Sequence, residues 1–213
     1  MSFVERVKGI ISEPKKYMNN ISDQPMIEEA VMIIGIYAII TAIGAYIQTY
    51  KMPNNFQGLD NMPYSMQSLI TISAIIAALI MPFIVWIIVT GVIHLSSIAA
   101  GGEGKFYPQM MTIVGFSMLP LIFNGIISIG FSSMMETMNF TDATALKELY
   151  SNPYFLVQML VGIIIDVWST IILYFGIMSA QKVSSNSSAI IAAIPLLFSV
   201  ISLIFTFRVI GII

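Results

Sequence analysis

The 213-residue sequence contains no cysteine, a single histidine and very little charge. Without cysteine the chain can form neither a disulfide framework nor a thiolate nucleophile. One histidine cannot build a multi-histidine metal site, and the zinc-protease pattern His-Glu-x-x-His is absent. Only 9% of the residues are charged and the net charge is −2, so the clustered basic face of a nucleic-acid-binding protein is missing. These shortages predict no cofactor, no metal and no nucleic-acid partner.

Apolar residues take the place of the missing charge. They make up 57% of the chain, the mean hydropathy is +0.89, and an ordinary soluble domain carries about 25% charged residues. A hydrocarbon core of about 30 Å is crossed by about 20 helical residues. The sequence therefore predicts an all-α integral membrane protein whose transmembrane domain, residues 28–210, is a five-helix bundle. The five helices are predicted near residues 28–49, 68–96, 109–131, 153–179 and 188–210.

Five is an odd number of spans, which places the two termini on opposite sides of the membrane. Lys and Arg are enriched in cytoplasmic loops, and the predicted spans place six of them on the N-terminal side and three on the other. The N-terminus is therefore predicted to be cytoplasmic and the C-terminus to lie outside. The two groups are Arg6, Lys8, Lys15, Lys16, Lys105 and Lys182, against Lys51, Lys147 and Arg208.

Residues 1–25 form a separate cytoplasmic segment in this interpretation. Its apolar residues recur at helical spacing, which predicts an amphipathic helix lying in the membrane interface with its apolar side among the headgroups. Pro14 should end or bend this helix. A simple topology anchor and a partner-binding or curvature-sensing helix are both compatible with the pattern. A second short amphipathic segment is predicted at 141–150. The apolar residues of the first segment are Phe3, Val4, Val7, Ile10 and Ile11.

The predicted loop between the second and third spans is rich in glycine. A phosphate-binding P-loop needs a further glycine five positions before its final Gly-Lys and a Ser or Thr after the lysine. Ala99 and Phe106 stand at those positions, which excludes the nucleotide site. Glycines 101, 102 and 104 instead allow a tight reversal between two helices, and Phe106 would contact the interface.

Several segments in order along the chain resemble the Yip family of membrane proteins. They are Gly-Gly-x-Gly-x-Phe at 101–106, the third-span segment 112–120, the Trp-Ser step at 168–169 and the Ala-rich, proline-containing segment 192–195. The resemblance covers residues 28–210 and implies a five-span bundle with a cytoplasmic N-terminus. It also implies that the loop between the second and third spans carries a family motif and that Trp168 belongs to the family's Trp-Ser step. The motif residues of the loop are Gly101, Gly102, Gly104 and Phe106.

The resemblance carries functional expectations as well. Eukaryotic Yip members are associated with Rab-type GTPases, vesicle traffic and membrane shaping. This chain lacks their long cytoplasmic N-terminal domain, and its Glu13-Pro14 opening is similar to short prokaryotic members. GTPase binding is therefore not carried over, and the plasma membrane of a prokaryote is the expected location.

Asp166 lies midway along the fourth predicted span, where insertion of a carboxylate costs about 2.5–3.5 kcal/mol. It should face the bundle interior. We expect Asp166 either to be protonated or to hydrogen-bond a Ser, Thr or Asn of a neighbouring helix. Pro120 frees the carbonyl of Phe116 at a similar depth, and this carbonyl and Asn124 are candidate partners on the third span. A proton or cation site and a structural hydrogen bond that sets helix register are both open interpretations. Trp168 is expected to be a packing residue.

Enzyme classes find little support in this set of residues. A membrane aspartyl protease needs two intramembrane acids, and a serine protease needs a placed base, whereas the one histidine lies at a membrane margin. The first hypothesis is a non-enzymatic adaptor or bilayer-organising protein of Yip type, with trafficking-like action on lipid, on other membrane proteins or through self-association. The alternatives are a small-solute or ion permease that uses Asp166, either as a single chain or as an oligomer, and an accessory subunit of a larger membrane complex.

Overall fold

A computed structural model of the chain describes residues 2–51, 64–134 and 152–210. Within these ranges the regular structure is helical and contains no strand. A kinked turn over Phe106–Met110 precedes the fifth helix. The amphipathic segment predicted at 141–150 lies outside the described residues. The helices are α1 Phe3–Ser12, α2 Pro14–Asp23, α3 Ile27–Lys51, α4 Tyr64–Ala99, α5 Met111–Ser117, α6 Leu119–Met134, α7 Pro153–Gln181 and α8 Ser185–Ile210.

Five helical stretches in the described residues are long and apolar enough to cross a membrane, which confirms the predicted fold. Helices suit these stretches because each backbone polar group in lipid must be bonded within the protein. The second stretch has 32 residues, or about 48 Å of helix, so it must tilt in a core of about 30 Å. The five are Ile27–Thr49, Ser68–Ala99, Phe106–Met134, Pro153–Gln181 and Ser185–Arg208.

The third span, α5 with α6, lies at the centre of the bundle. Of the residues in an 18-residue apolar window of this span, 44% are buried inside the protein, against 11% for the corresponding windows of α4 and α8. The helix is interrupted at Met118, and Pro120 then occupies the first turn of α6, where its missing N–H costs little. Around this span pack α3, α4 and α7, while α8 packs on α7 and α4. The fully buried apolar side chains of the centre include Ile33, Ile34, Ile113, Phe116, Ile172 and Ile177.

The first two helices cover one end of the bundle. Pro14 separates them and begins α2, which packs on α7 and α5. Ile10 and Met18 are completely buried, so at these positions the apolar side of the hairpin meets protein, whereas the sequence predicted contact with lipid headgroups. Val4 and Ile11 remain exposed. We call this end, formed by α1, α2 and the loops 100–105 and 182–184, the capped end.

Two polar contacts hold α1 in place. Ser2 and Glu5 form a reciprocal capping box, in which the Ser2 N–H donates to the Glu5 carboxylate at 2.8 Å. This hydrogen bond lowers the pKa of Glu5. Arg6 forms a two-pronged ion pair with Glu29 at the start of α3, with 2.7 Å from Nε to Oε2. The hydrogen bond to Glu29 raises the pKa of the Arg6 guanidinium, and the pair fastens α1 to the first membrane span.

Candidate functional site

The glycine-rich loop at the capped end is organised around one buried side chain, Gln181, the last residue of α7. Its Oε1 accepts the Gly104 N–H at 3.1 Å and its Nε2 donates to His94 Nδ1 at 3.1 Å. Its backbone carbonyl accepts the Glu103 N–H at 3.1 Å. Gln181 is fully buried, so its side-chain amide is shielded from water. The loop is thereby joined to the ends of both α4 and α7.

The spacing of the glycines follows from this packing. A Cβ on Gly104 would lie 2.4 Å from the Ala180 carbonyl oxygen, and one on Gly102 would lie 2.8 Å from the Ser97 carbonyl oxygen. Gly101 has open space but a φ of +86°, which L-residues rarely adopt. The sequence predicted a tight reversal at these glycines, and the structure shows one between α4 and the third span. Phe106 follows with its ring 5.5 Å from the His94 ring.

A second glutamine connects the N-terminal hairpin to the same loop. Gln109 Nε2 donates to the Ser22 carbonyl at 3.1 Å and contacts the Ser22 hydroxyl at 3.2 Å. Gln109 Oε1 accepts the Lys105 N–H at 3.0 Å. The capped end is therefore one polar network that joins α2, the glycine loop and α7. Sequence reasoning missed both glutamines, although an amide side chain at the last position of a long apolar helix is a usable signal for Gln181.

Asp166 lines a cavity of about 460 Å³ within the membrane region. The cavity lies between α4 on one side and α7 and α8 on the other, with the junction of α5 and α6 as its floor. Most of its wall is aliphatic. The polar side chains that line it are Asp166, Ser117, Ser169, Thr170 and Ser199.

The structure places Asp166 beside a serine of a neighbouring helix. The side chain of Asp166 is half-buried and hydrogen-bonds Ser199 of α8. Asn124 instead lies beside Gly162, one turn of α7 away, where a Cβ would be 3.9 Å from the amide group. Pro120 is buried at the start of α6. The side-chain interaction is thus with the fifth span and not with the third, because α8 packs directly on α7.

The Trp-Ser step on α7 contacts the interrupted third span. Trp168 stacks on Phe123 with ring centroids 5.8 Å apart, which agrees with its predicted packing role. The Ser169 hydroxyl donates to the Ser117 carbonyl at 2.5 Å, next to the interruption at Met118. The interruption frees this carbonyl, because the Leu121 N–H bonds to the Met118 carbonyl, and neighbouring side chains can satisfy such freed groups in lipid. Ser169 therefore stabilises the third span at the point where its helix is interrupted.

The arrangement brings together groups that can bind a partner or a ligand. Among the residues that the structure describes, no three His, Cys, Asp or Glu side chains come close enough to hold a metal ion. The lining of the Asp166 cavity supplies one carboxyl group and several hydroxyls, with no basic side chain among its residues. Such a site can pair with a donor or a cation and can surround an apolar group.

Five membrane-length helices, one of them interrupted and braced by its neighbours, define a multi-pass helical membrane protein. A family model described as the Yip1 domain matches residues 8–207, so the chain belongs to the Yip1 domain family. An uncharacterized protein of Methanocaldococcus jannaschii is 28% identical over 134 residues, which cover 61% of this chain and 89% of that protein. No solved structure matches the chain.

Proposed function

We propose that this Yip1-family chain is a non-enzymatic membrane protein that acts as an adaptor or bilayer-organising factor. The observation that carries this proposal is the outer face of α8. Six large apolar side chains lie on one side of this helix, each at least half exposed, and helical spacing makes them one continuous surface for lipid or a partner helix. They are Ile190, Leu197, Phe198, Ile201, Ile204 and Phe205.

Photo-crosslinking in native membranes tests this surface. A benzoylphenylalanine placed at Phe198 or Phe205 should capture a membrane protein in reproducible, near-stoichiometric amount, to be identified by mass spectrometry after mild-detergent purification. The same probe at Phe116, which is completely buried, is the matched control. Lipid-only crosslinks at both exposed positions, together with unchanged shape of reconstituted vesicles, would contradict the proposal.

The exposed side of α1 offers a second contact surface. Val4 and Ile11 face outward while Ile10 fills the protein interior. The double substitution Val4→Ser and Ile11→Ser should therefore weaken partner binding or vesicle shaping and leave the fold intact. Partner recovery and vesicle diameter are measured beside a thermal unfolding curve. Loss of both the fold and the contacts would show that this surface is structural.

The Asp166 cavity supports a second candidate, a small-solute or ion permease. If transport is the function, Asp166→Asn should abolish flux in reconstituted vesicles without unfolding the protein. The candidate fails if the purified wild type shows no flux for small ions and solutes above that of empty vesicles. An accessory-subunit role is distinguished from both by stable co-purification of a larger complex.

We also propose that the capped end faces the cytoplasm of a prokaryotic cell. The support is the gathering of residues 2–23, 100–105 and 182–184 at one end, since these segments carry the six basic residues of the predicted cytoplasmic side. Because the chain has no cysteine, single-cysteine labelling has no background. Asn186→Cys, at the capped end, should resist an impermeant maleimide in whole cells, and Gln48→Cys, at the opposite end, should react. The reverse pattern would invert the topology.

A further inference from the structure

We propose that the cavity around Asp166 binds a lipophilic amine, an amphiphile whose ammonium head pairs with the carboxylate and whose apolar tail lies along α4 and α8. This inference goes beyond the proposed function and does not depend on it. The proposed ligand has a cationic head group. The experiment distinguishes it from neutral and acidic amphiphiles of equal chain length.

The first support is the shape of the cavity and its access. Its walls come from helices that are largely uncovered by protein, because α4 and α8 are the two least buried spans. Ile88 of α4 and Phe198 of α8 both line the cavity and are 59% and 78% exposed. These side chains face the hydrocarbon region. A ligand can therefore enter sideways from the bilayer, as an amphiphile would. A volume of about 460 Å³ falls within the roughly 300–1,000 Å³ usual for small-molecule sites.

The second support is that three hydroxyl groups of the cavity lining are already hydrogen-bonded within the protein, whereas Asp166 has acceptor capacity to spare. The hydroxyls of Ser117, Ser169 and Thr170 donate to backbone carbonyls, at 2.7, 2.5 and 2.8 Å respectively. Their protons are thus already used within the bundle. Asp166 is left with the Ser199 hydroxyl as its side-chain partner in the lining, whereas an ionised carboxylate can accept about four hydrogen bonds.

The third support is charge. Asp166 is the one ionisable side chain among the residues lining the cavity. The Tyr37 side chain of α3 also lies within its electrostatic range but carries no positive charge. A carboxylate at this depth is costly unless a cation accompanies it, and an ammonium group supplies both the charge and three donors. The aliphatic walls then bury the tail.

Quenching of tryptophan fluorescence tests the proposal, because both tryptophans of the chain belong to helices that wall the cavity. Trp86 of α4 is one position from the lining residue Val85, and Trp168 of α7 is one position from Ser169; neither side chain is itself part of the lining. The full chain in zwitterionic nanodiscs should show saturable quenching by a chain-brominated dodecylamine, which unbrominated dodecylamine reverses. Asp166→Asn should weaken the apparent affinity about tenfold or more. The exposed acid Asp23, changed to Asn, should leave the affinity as in wild type.

A second variant separates loss of the site from loss of the fold. Val92→Phe adds bulk to the cavity wall and leaves Asp166 in place, so it should also weaken quenching by the amine. Brominated dodecanol and dodecanoate should bind more weakly than the amine to the wild type. Equal affinities for amine and alcohol, or an amine affinity unchanged by both Asp166→Asn and Val92→Phe, would overturn the proposal. Neither result would alter the crosslinks at Phe205 that test the adaptor role.

Discussion

At the capped end, individual side chains join segments that are far apart along the chain. The hydrogen-bonded residues Gly104 and Gln181 are 77 positions apart in the sequence, and Ser22 and Gln109 are 87 positions apart. The side-chain amides of Gln109 and Gln181 each contain a hydrogen-bond acceptor and a donor group, so each can accept a hydrogen bond from one segment and donate one to another. The stability of this end therefore depends on a few amide groups whose loss leaves buried polar atoms without partners.

Substitution of Gln181 by Ala is expected to destabilise the protein. It leaves the half-buried Gly104 N–H without its acceptor, at a cost of about 1–3 kcal/mol. The measurement is the thermal unfolding midpoint in detergent, which should fall. Gln48→Ala, an exposed glutamine of α3, is the control and should leave the midpoint unchanged. Equal midpoints for the two variants would contradict the role of Gln181.

The glycines of the loop should respond unequally to alanine. Gly104→Ala forces a Cβ against the Ala180 carbonyl, and such overpacking typically costs about 1–3 kcal/mol. Gly35→Ala, within α3 and with nothing within 4 Å of the added Cβ, should be neutral or stabilising, since alanine favours helix by roughly 0.5–1 kcal/mol. Chemical or thermal unfolding ranks the two. The packing argument fails if Gly35→Ala is the more damaging change.

At the scale of elements, the ion pair between Arg6 and Glu29 connects α1 to α3. The two side chains are only 11% and 14% exposed, so removal of one leaves the other charge poorly solvated. Glu29→Ala should cost about 2 kcal/mol and loosen the hairpin. Hydrogen exchange in residues 3–23 should accelerate. Glu28→Ala, on the exposed neighbouring position, provides the control, and identical exchange in both variants would disprove the fastening role.

The start of α1 should also loosen in acid. The hydrogen bond from the Ser2 backbone lowers the pKa of Glu5 below its ordinary value of 4.5. A depressed folded-state pKa gives stability that is fully present above the ordinary pKa and is lost as the pH falls through the lowered value. Exchange protection of the first turn, corrected for intrinsic rates, should decline over that window. In Glu5→Gln the protection should not change there; a decline of the same size would assign the effect to another group.

At the scale of the whole molecule, the N-terminal hairpin is a part of the core. Ile10, Met18 and Ile21 are buried in the same apolar cluster as Phe116 and Ile177 of the membrane spans. Deletion of residues 1–24 uncovers that cluster. The truncated chain should therefore aggregate or unfold at a lower temperature, and size-exclusion chromatography with thermal unfolding measures this. A truncated protein as stable and monodisperse as the full chain would show that the hairpin is dispensable.

The five membrane helices could be predicted because each apolar run satisfies its own backbone hydrogen bonds wherever it packs. Their ends were less well defined: the third span begins at Phe106, earlier than the predicted 109. The glycine reversal was also predictable, since a φ such as that of Gly101 is one that residues with a Cβ rarely adopt. The sequence left the partner of Asp166 open among several residues, because the rotation of α8 against α7 depends on the packing of both helices.

Composition and periodicity alone determined that this chain is an all-helical membrane protein with five spans. A helix in lipid satisfies its backbone hydrogen bonds within its own segment, so each span could be recognised from its own residues. The tertiary structure decided which polar groups meet. It brought Gln181 to Gly104 and Ser199 to Asp166, and it turned Ile10 into the core. Such contacts depend on how helices rotate and approach one another, and the pattern along any single helix does not specify that.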